Sequence, residues 1–222
     1  MVDPMGLKVL KQVYARIARR YDRLHRVLTG GSDERGRRML VEAVVRPRMR
    51  VLDCGAGTGG TGLLAIRAMG EHGSVVCCDL SEPMLAEAKR KAQATGCGDR
   101  MGYCIGDMGR LPLGTETFDA VFSTYSLCPL VNPAVGAREV YRVLKPGGRA
   151  GLAHSTWPEG RMRRWLGDRI EGAVWHWPTI AMGCRAVSVV PELEQLGAKV
   201  IWQRRIGVPL WPFLVTVIEK PI

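Results

Sequence analysis

The chain has 222 residues, 46% of them hydrophobic, which suits one globular domain with a full-sized core. Its net charge of +11 is uneven: 13 of the 32 Lys/Arg but only 5 of the 21 Asp/Glu fall within residues 1–50. A basic patch of this kind implies an anionic partner, whether phospholipid headgroups, nucleic acid or a phosphorylated substrate. The seven cysteines form no zinc-type spacing, so no metal site is expected, and free buried thiols fit a reducing cytoplasm. The N-terminus lacks the apolar run of a signal peptide. The longest apolar run, "IGVPLWPFLVTVI" (206–218), is too short to span a bilayer and contains two prolines. Membrane contact is therefore expected to be peripheral, on the inner face.

In chain order, residues 7–28, "LKVLKQVYARIARRYDRLHRVL", predict a basic amphipathic helix. Leu7, Leu10, Tyr14, Ile17, Tyr21, Leu24 and Leu28 recur at steps of three and four, lining one face. Lys8, Lys11, Arg16, Arg19, Arg20, Arg23 and Arg26 occupy much of the rest, as in helices that lie on membrane surfaces. "TGGSDERG" (29–36) breaks the pattern, and a second helix follows through Val45. Residues 1–45 thus read as a basic helical cap. Strands are predicted at 50–54, 74–79, 101–105, 118–124, 148–155, 199–206 and 212–220. Helices are predicted at 60–69, 82–95, 134–144, 161–176 and 188–196. The alternation predicts an α/β fold, a doubly wound, mostly parallel sheet with helices on both faces.

"VLDCGAGTGG" (51–60) carries the chemistry. An apolar strand runs into Asp53, then Gly55, Gly57 and Gly59, and a helix follows. Glycines allow a sharp turn and leave a ligand free to approach. Asp79 ends the next strand, 22 residues after Gly57, where an acid reaches the two ribose hydroxyls of a nucleoside. Asp107, after the third strand, is placed to accept a hydrogen bond from an adenine amino group.

With "CCDLSEPMLAEAK", "GDMGRLPLGTETFDAVFS" and "REVYRVLKPGGRAGLAHS", this stretch resembles the class I S-adenosylmethionine-dependent methyltransferases. The resemblance implies their Rossmann-like, seven-stranded sheet with the last strand antiparallel, over residues 46–222. It implies S-adenosylmethionine as cofactor. Gly55, Gly57 and Gly59 would cradle its methionine and ribose portion, and Asp53 would contact the ammonium. Asp79 would bind the ribose, Leu80 and Met84 would border the adenine, and Asp107 with Met108 would close its other side. Thr124 and Tyr125 would face the sulfonium and the acceptor.

A sulfonium methyl is already electrophilic, so the protein must place the acceptor in line and exclude water. A base is useful where the acceptor loses a proton. His154, after the fifth strand, is the first candidate, a wall residue being the plain alternative; Tyr21, His25 and Tyr125 follow. Two acceptors compete. "YARIARRYDRLHRVL" and "YRVLKPGG" resemble ubiquinone/menaquinone C-methyltransferases. The "YAR…YD" opening, the histidine after the fifth strand, "WPEGRMRRWL" and "VPLWPFLV" resemble a bacterial phosphatidylethanolamine N-methyltransferase, which is placed narrowly first. The "LCPLVNP" and "GCR…ELEQLG" layout is similar to membrane-associated thiol methyltransferases. A second basic and tryptophan-rich stretch, 161–177, suits either a membrane interface or a pocket lid. Nucleic acid is the lesser partner: no RNA-binding module is present and there are only three Phe.

Overall fold

The structure is a computed structural model that describes residues 6–222; the first five residues of the expected cap lie outside it. The predicted N-terminal helix is present but broken. Helix α1 (Leu7–Ile17) and helix α2 (Tyr21–Thr29) are separated by a single 3₁₀ turn, Ala18–Arg20. Gly30 and Gly31, at φ +58° and +77°, end α2 in the left-handed region open to glycine. Helix α3 (Ser32–Val44) follows at once.

Beyond it the chain alternates strand and helix: β1 (Arg50–Cys54), α4 (Gly60–Ala68), β2 (Ser74–Asp79), α5 (Glu82–Ala94) and β3 (Met101–Ile105). Then come β4 (Phe118–Thr124), α6 (Pro133–Val143), β5 (Leu144–Ser155), α7 (Arg161–Val174) and α8 (Pro178–Ala181). The chain closes with α9 (Val190–Gln195), β6 (Lys199–Val208) and β7 (Trp211–Glu219). The seven strands form one sheet in the order β3-β2-β1-β4-β5-β7-β6. Strands β1 to β5 are parallel, and β7 runs antiparallel to both β5 and β6. This is the doubly wound arrangement expected. Strand β5 is longer than predicted: it starts at Leu144, which pairs with Phe118 ahead of a register shift.

Each sheet face carries its own core. On one, Leu40, Val41 and Val44 of α3, Ala65 and Ile66 of α4 and Leu85 of α5 pack on Val51, Phe122 and Val215. On the other, Ala137 and Val140 of α6 and Leu193 of α9 pack on Leu52, Val121, Leu152 and Ile218. Helix α3, grouped with the cap in the sequence reading, is therefore an integral layer of the domain. Strand order reverses between β1 and β4, so a crevice opens at their carboxyl ends. Helices α1 and α8 close over it, Leu10 packing on Ala181, and Val13 and Ile17 on Met182.

Candidate active site

The crevice is lined at its floor by Gly55, Gly57, Asp79, Leu80, Met84, Asp107, Met108, Thr124, Tyr125 and Ser126. Leu7, Leu10, Tyr14, Tyr21, Pro129 and Leu130 form its roof and outer wall. The glycine loop is built by clashes avoided. A Cβ on Gly55 would lie 2.3 Å from Ser126 Cβ, and one on Gly59 would lie 2.9 Å from Ala88 Cβ. A Cβ on Gly57 would meet nothing, so this glycine faces open space at φ +53°. The Gly55 and Ala56 amides donate to the Cys78 carbonyl at 2.8 and 3.0 Å, tying the loop to the end of β2.

Asp79 is held at that strand end. The Gly57 amide donates to its Oδ2 at 2.7 Å and the Ser81 amide to its Oδ1 at 2.8 Å. Burial pushes its carboxyl up, and these amides partly offset the shift. Asp107 accepts from the Gly109 amide at 2.7 Å. Asp53 accepts from the Gly62 amide at 2.7 Å, while its Oδ1 is buried without a protein partner. Burial pushes Asp53 up to about 6. It stands behind the glycine loop rather than among the lining residues. Thr124 Oγ1 lies 2.7 Å from Thr61 Oγ1, which fixes the end of β4 to α4.

Tyr125 sits at φ +61°, a conformation that costs a bulky residue energy and that clusters at functional sites. The turn sets its ring against α2 and α3. The phenol donates to the Asp33 carbonyl at 3.3 Å, and the ring packs against His25 and Phe213 at 5.2 and 5.0 Å. Burial raises its pKa. Tyr125 is thus a wall rather than a proton carrier. Tyr21 does line the crevice, stacked on His25 at 5.3 Å and edge-on to Tyr14 at 6.3 Å. Burial pushes its phenol far up as well, so it acts as an uncharged surface.

The structure does not bring His154 to the crevice. Its ring is wholly buried, its Nδ1 lies 3.1 Å from the Ser155 carbonyl and its Nε2 has no partner. It shares the β5 face that carries Leu152, whose contacts are with α6 and α9. Burial lowers its pKa. A strand residue's face is set by alternation, and one position past the crevice edge points inward.

A polar centre lies under the roof, joining His25, one of the candidate bases, to Asp33, Thr29 and Arg37, which the sequence analysis did not single out. Asp33 accepts from His25 Nδ1 at 2.8 Å, Thr29 Oγ1 at 2.8 Å and Arg37 at 2.7 Å. Asp33 and His25 are buried, and Arg37 lies over the Tyr125 ring at 5.2 Å. Burial opposes ionisation of Asp33, but His25, Arg37 and Thr29 outweigh it and hold the carboxyl well below its usual range. For His25, burial, helped by Arg37, outweighs Asp33 and lowers the pKa from 6.5. The ring is neutral at pH 7, with its Nδ1–H directed to Asp33 and Nε2 left to accept. For Asp33 and Arg37 the signal in the sequence was their i,i+4 spacing, common on any exposed helix.

Residues 51–148 match the family model described as a methyltransferase domain. Over those residues the chain matches a methyltransferase domain, set on the doubly wound seven-stranded sheet described above. A ubiquinone/menaquinone biosynthesis C-methyltransferase of Cereibacter sphaeroides is 31% identical over 159 residues, 71% of this chain and 63% of that protein. A demethylmenaquinone methyltransferase of Thermus thermophilus is 38% identical over 138 residues, 62% of this chain and 61% of that protein. The chain spans less than two thirds of the length of these curated relatives. Among solved structures, the cyclase SpnF superposes with a TM-score of 0.75 at 19% identity, covering 100% of this chain and 98% of that one. At that identity the likeness concerns the fold alone, and a fold hosts many chemistries. The residues of the methyltransferase domain, rather than its outline, must carry the functional reading.

Proposed function

We propose that this chain transfers a methyl group from S-adenosylmethionine to a ring carbon of a reduced quinone. The similarity to quinone C-methyltransferases favours the second of the two acceptors weighed from sequence over phosphatidylethanolamine. The observation that carries the reading within the structure is the outer wall of the crevice. Leu7, Leu10, Tyr14, Tyr21, Pro129 and Leu130 make it apolar and aromatic, with the neutral His25–Asp33 pair behind Tyr21. A flat, apolar ring suits such a wall, whereas a charged ammonium headgroup would lose hydration there without an acidic partner.

The cofactor fits the floor. Gly57 leaves space where a side chain would stand, and Asp79, anchored by two amides, presents its carboxylate to a ribose. Asp107 suits an adenine amino group, Leu80, Met84 and Met108 flank that base, and Gly55 and Gly59 give the loop its shape. The orphaned Asp53 Oδ1 suits an ammonium reached through water. When bound, the cofactor supplies an electrophilic methyl group. The residues of the chain do the rest. The α1 roof excludes water, the aromatic wall orients the ring, and His25, stacked on the outer side of the lining Tyr21, is the base we assign to the proton that a phenol or ring carbon must release. Asp33 fixes the tautomer and stabilises the imidazolium, as carboxylates do for catalytic histidines. Thr124 lies at the reacting end of the floor, and Tyr125 shapes it through its strained turn.

A membrane surface as the source of the acceptor draws support from the cap. Lys8, Lys11, Arg16, Arg19, Arg20, Arg23 and Arg26 are all exposed. Arg16, Arg19, Arg20, Arg23 and Arg90 line a groove between the two cap helices and α5. The apolar stripe is mostly turned inward, Leu10 and Ile17 being buried and Tyr14, Tyr21 and Leu24 half-buried. Contact is therefore chiefly electrostatic, aided by the exposed Leu7, Val9, Trp177 and Ile180. Among the described residues no helix is long and apolar enough to cross a membrane.

The test is direct. The protein is incubated with labelled S-adenosylmethionine and, separately, a short-chain demethylated quinol kept reduced, phosphatidylethanolamine vesicles, a small thiol and RNA. Products are identified by mass. Label on the quinol ring carbon is expected; label on the amine lipid alone would reverse the choice of acceptor.

A further inference from the structure

One pair of cysteines stands apart from the others. Cys128 and Cys184 lie with their sulfurs 3.0 Å apart, 56 residues apart in sequence. Cys128 is wholly buried, on the loop after β4 whose Ser126, Pro129 and Leu130 line the crevice. Cys184 is half-buried and follows Met182 and Gly183 at the end of α8. Both sulfurs also approach the carbonyl of the strained Tyr125, at 3.5 and 3.9 Å. The same spot joins the roof to the wall. Tyr14 of α1 donates to the Met182 carbonyl at 2.8 Å. Gly183 sits so tightly that a Cβ would come within 2.5 Å of Leu10 and 3.1 Å of Pro129.

We propose that Cys128 and Cys184 form a reversible dithiol–disulfide site that, when oxidised by a small disulfide, locks the roof of the crevice to its wall. A sulfur–sulfur approach of 3.0 Å needs little movement to reach a bond of about 2.05 Å. The burial difference assigns the order of attack. Cys184, which solvent reaches, attacks the small disulfide as a thiolate and expels one small thiolate, leaving a mixed disulfide. Cys128 then attacks the Cys184 sulfur and expels the second. One S–S bond breaks and one forms. The dithiol gives up two electrons to the small disulfide, and the two thiol protons end on the two small thiols released. An excess of small thiol runs the sequence backward. The hydrogen bond to Cys128 and burial push the Cys184 thiol up, so the first attack quickens as pH rises.

The consequence follows from what the bond would join. The β4 loop and the segment at 182–184 now move apart only by breaking hydrogen bonds and packing; a covalent link removes that freedom. Leu10 and Tyr14 rest on this segment, so fixing it gives α1 an immobile seat, holds the roof closed for longer and slows exchange of a bound molecule. This holds whichever acceptor the site takes.

The experiment uses the full chain. Glutathione disulfide is added, remaining thiols are alkylated, and linked peptides are mapped; release of S-adenosylhomocysteine is followed in parallel. Two of the seven thiols should become unreactive, in a peptide joining Cys128 to Cys184, and release should slow severalfold and recover on adding glutathione. Cys184→Ser, at the half-exposed position, should keep the reduced protein's release rate and lose the response. Linkage of Cys78 to Cys104, which pair across β2 and β3, would overturn the proposal. So would the absence of any linkage, an unchanged release rate in the bridged protein, or equal slowing in Cys184→Ser.

Discussion

Asp33→Asn probes the buried centre most sharply. The carboxylate takes three hydrogen bonds, from His25, Thr29 and Arg37, with its side chain 6% exposed and that of Arg37 14% exposed. The amide is nearly isosteric, so packing is kept while the charge is lost. Arg37 is then a nearly buried cation without its carboxylate. Breaking such a pair from one side costs about 3–5 kcal/mol, and retained amide hydrogen bonds should place the loss near the lower end, about 3 kcal/mol. For a domain of this size that is a fall in Tm of about 6–12 °C. Urea unfolding of wild type, Asp33→Asn and the double variant Asp33→Asn/Arg37→Met would measure it. The double variant should recover part of the loss, because the unpaired charge is gone. The pH dependence has a definite sign. Asp33 ionises more readily folded than unfolded, so its contribution is full above about pH 4 and fades as pH falls toward its depressed folded value. The wild-type advantage over Asp33→Asn should therefore shrink in acid. A variant within about 0.5 kcal/mol of wild type, the usual range for surface changes, would refute the reading of Asp33 as the hub of the roof.

Three further outcomes test the site. Asp79→Ala should weaken S-adenosylmethionine binding by about 1.5–3 kcal/mol, measured by calorimetry on folded protein; unchanged affinity would remove Asp79 from the cofactor site. His25→Gln should lower methyl transfer with little change in cofactor affinity, and the wild-type rate should rise with pH below 6.5 and level off by neutrality, since the burial-lowered ring must be neutral to accept a proton; a pH profile shared by variant and wild type would exclude it as the base. His154→Gln should reduce thermal stability and leave that pH profile in place, because the ring is enclosed away from the crevice; loss of the profile with stability intact would restore His154 as the base.

How much was legible in the sequence follows from how local the determining physics is. The glycine loop, the acids at the ends of β1 and β2, and the alternation of strand and helix are written in short windows. Backbone conformation and side-chain alternation are set by neighbouring residues, so Gly55, Gly57, Gly59 and Asp79 could be placed before any coordinates. The basic stripe was equally legible, but its partner was not. Amphipathic periodicity states that a face is apolar, not what covers it, and here α5 and α8 cover most of it. The same holds for α3, whose Leu40 and Val44 belong to the sheet's core. Which histidine lies beside the crevice was decided by tertiary structure alone, His25 being stacked on the lining Tyr21. His154 lies next to the reacting end in sequence yet points into the core, because alternate strand residues take opposite faces. His25 of α2 and Asp33 and Arg37 of α3 meet Tyr125, 92 residues beyond Asp33, only when those helices fold against the strand ends. A buried ion cluster is stable only where several elements shield it from water at once, and no single segment of the sequence contains that condition.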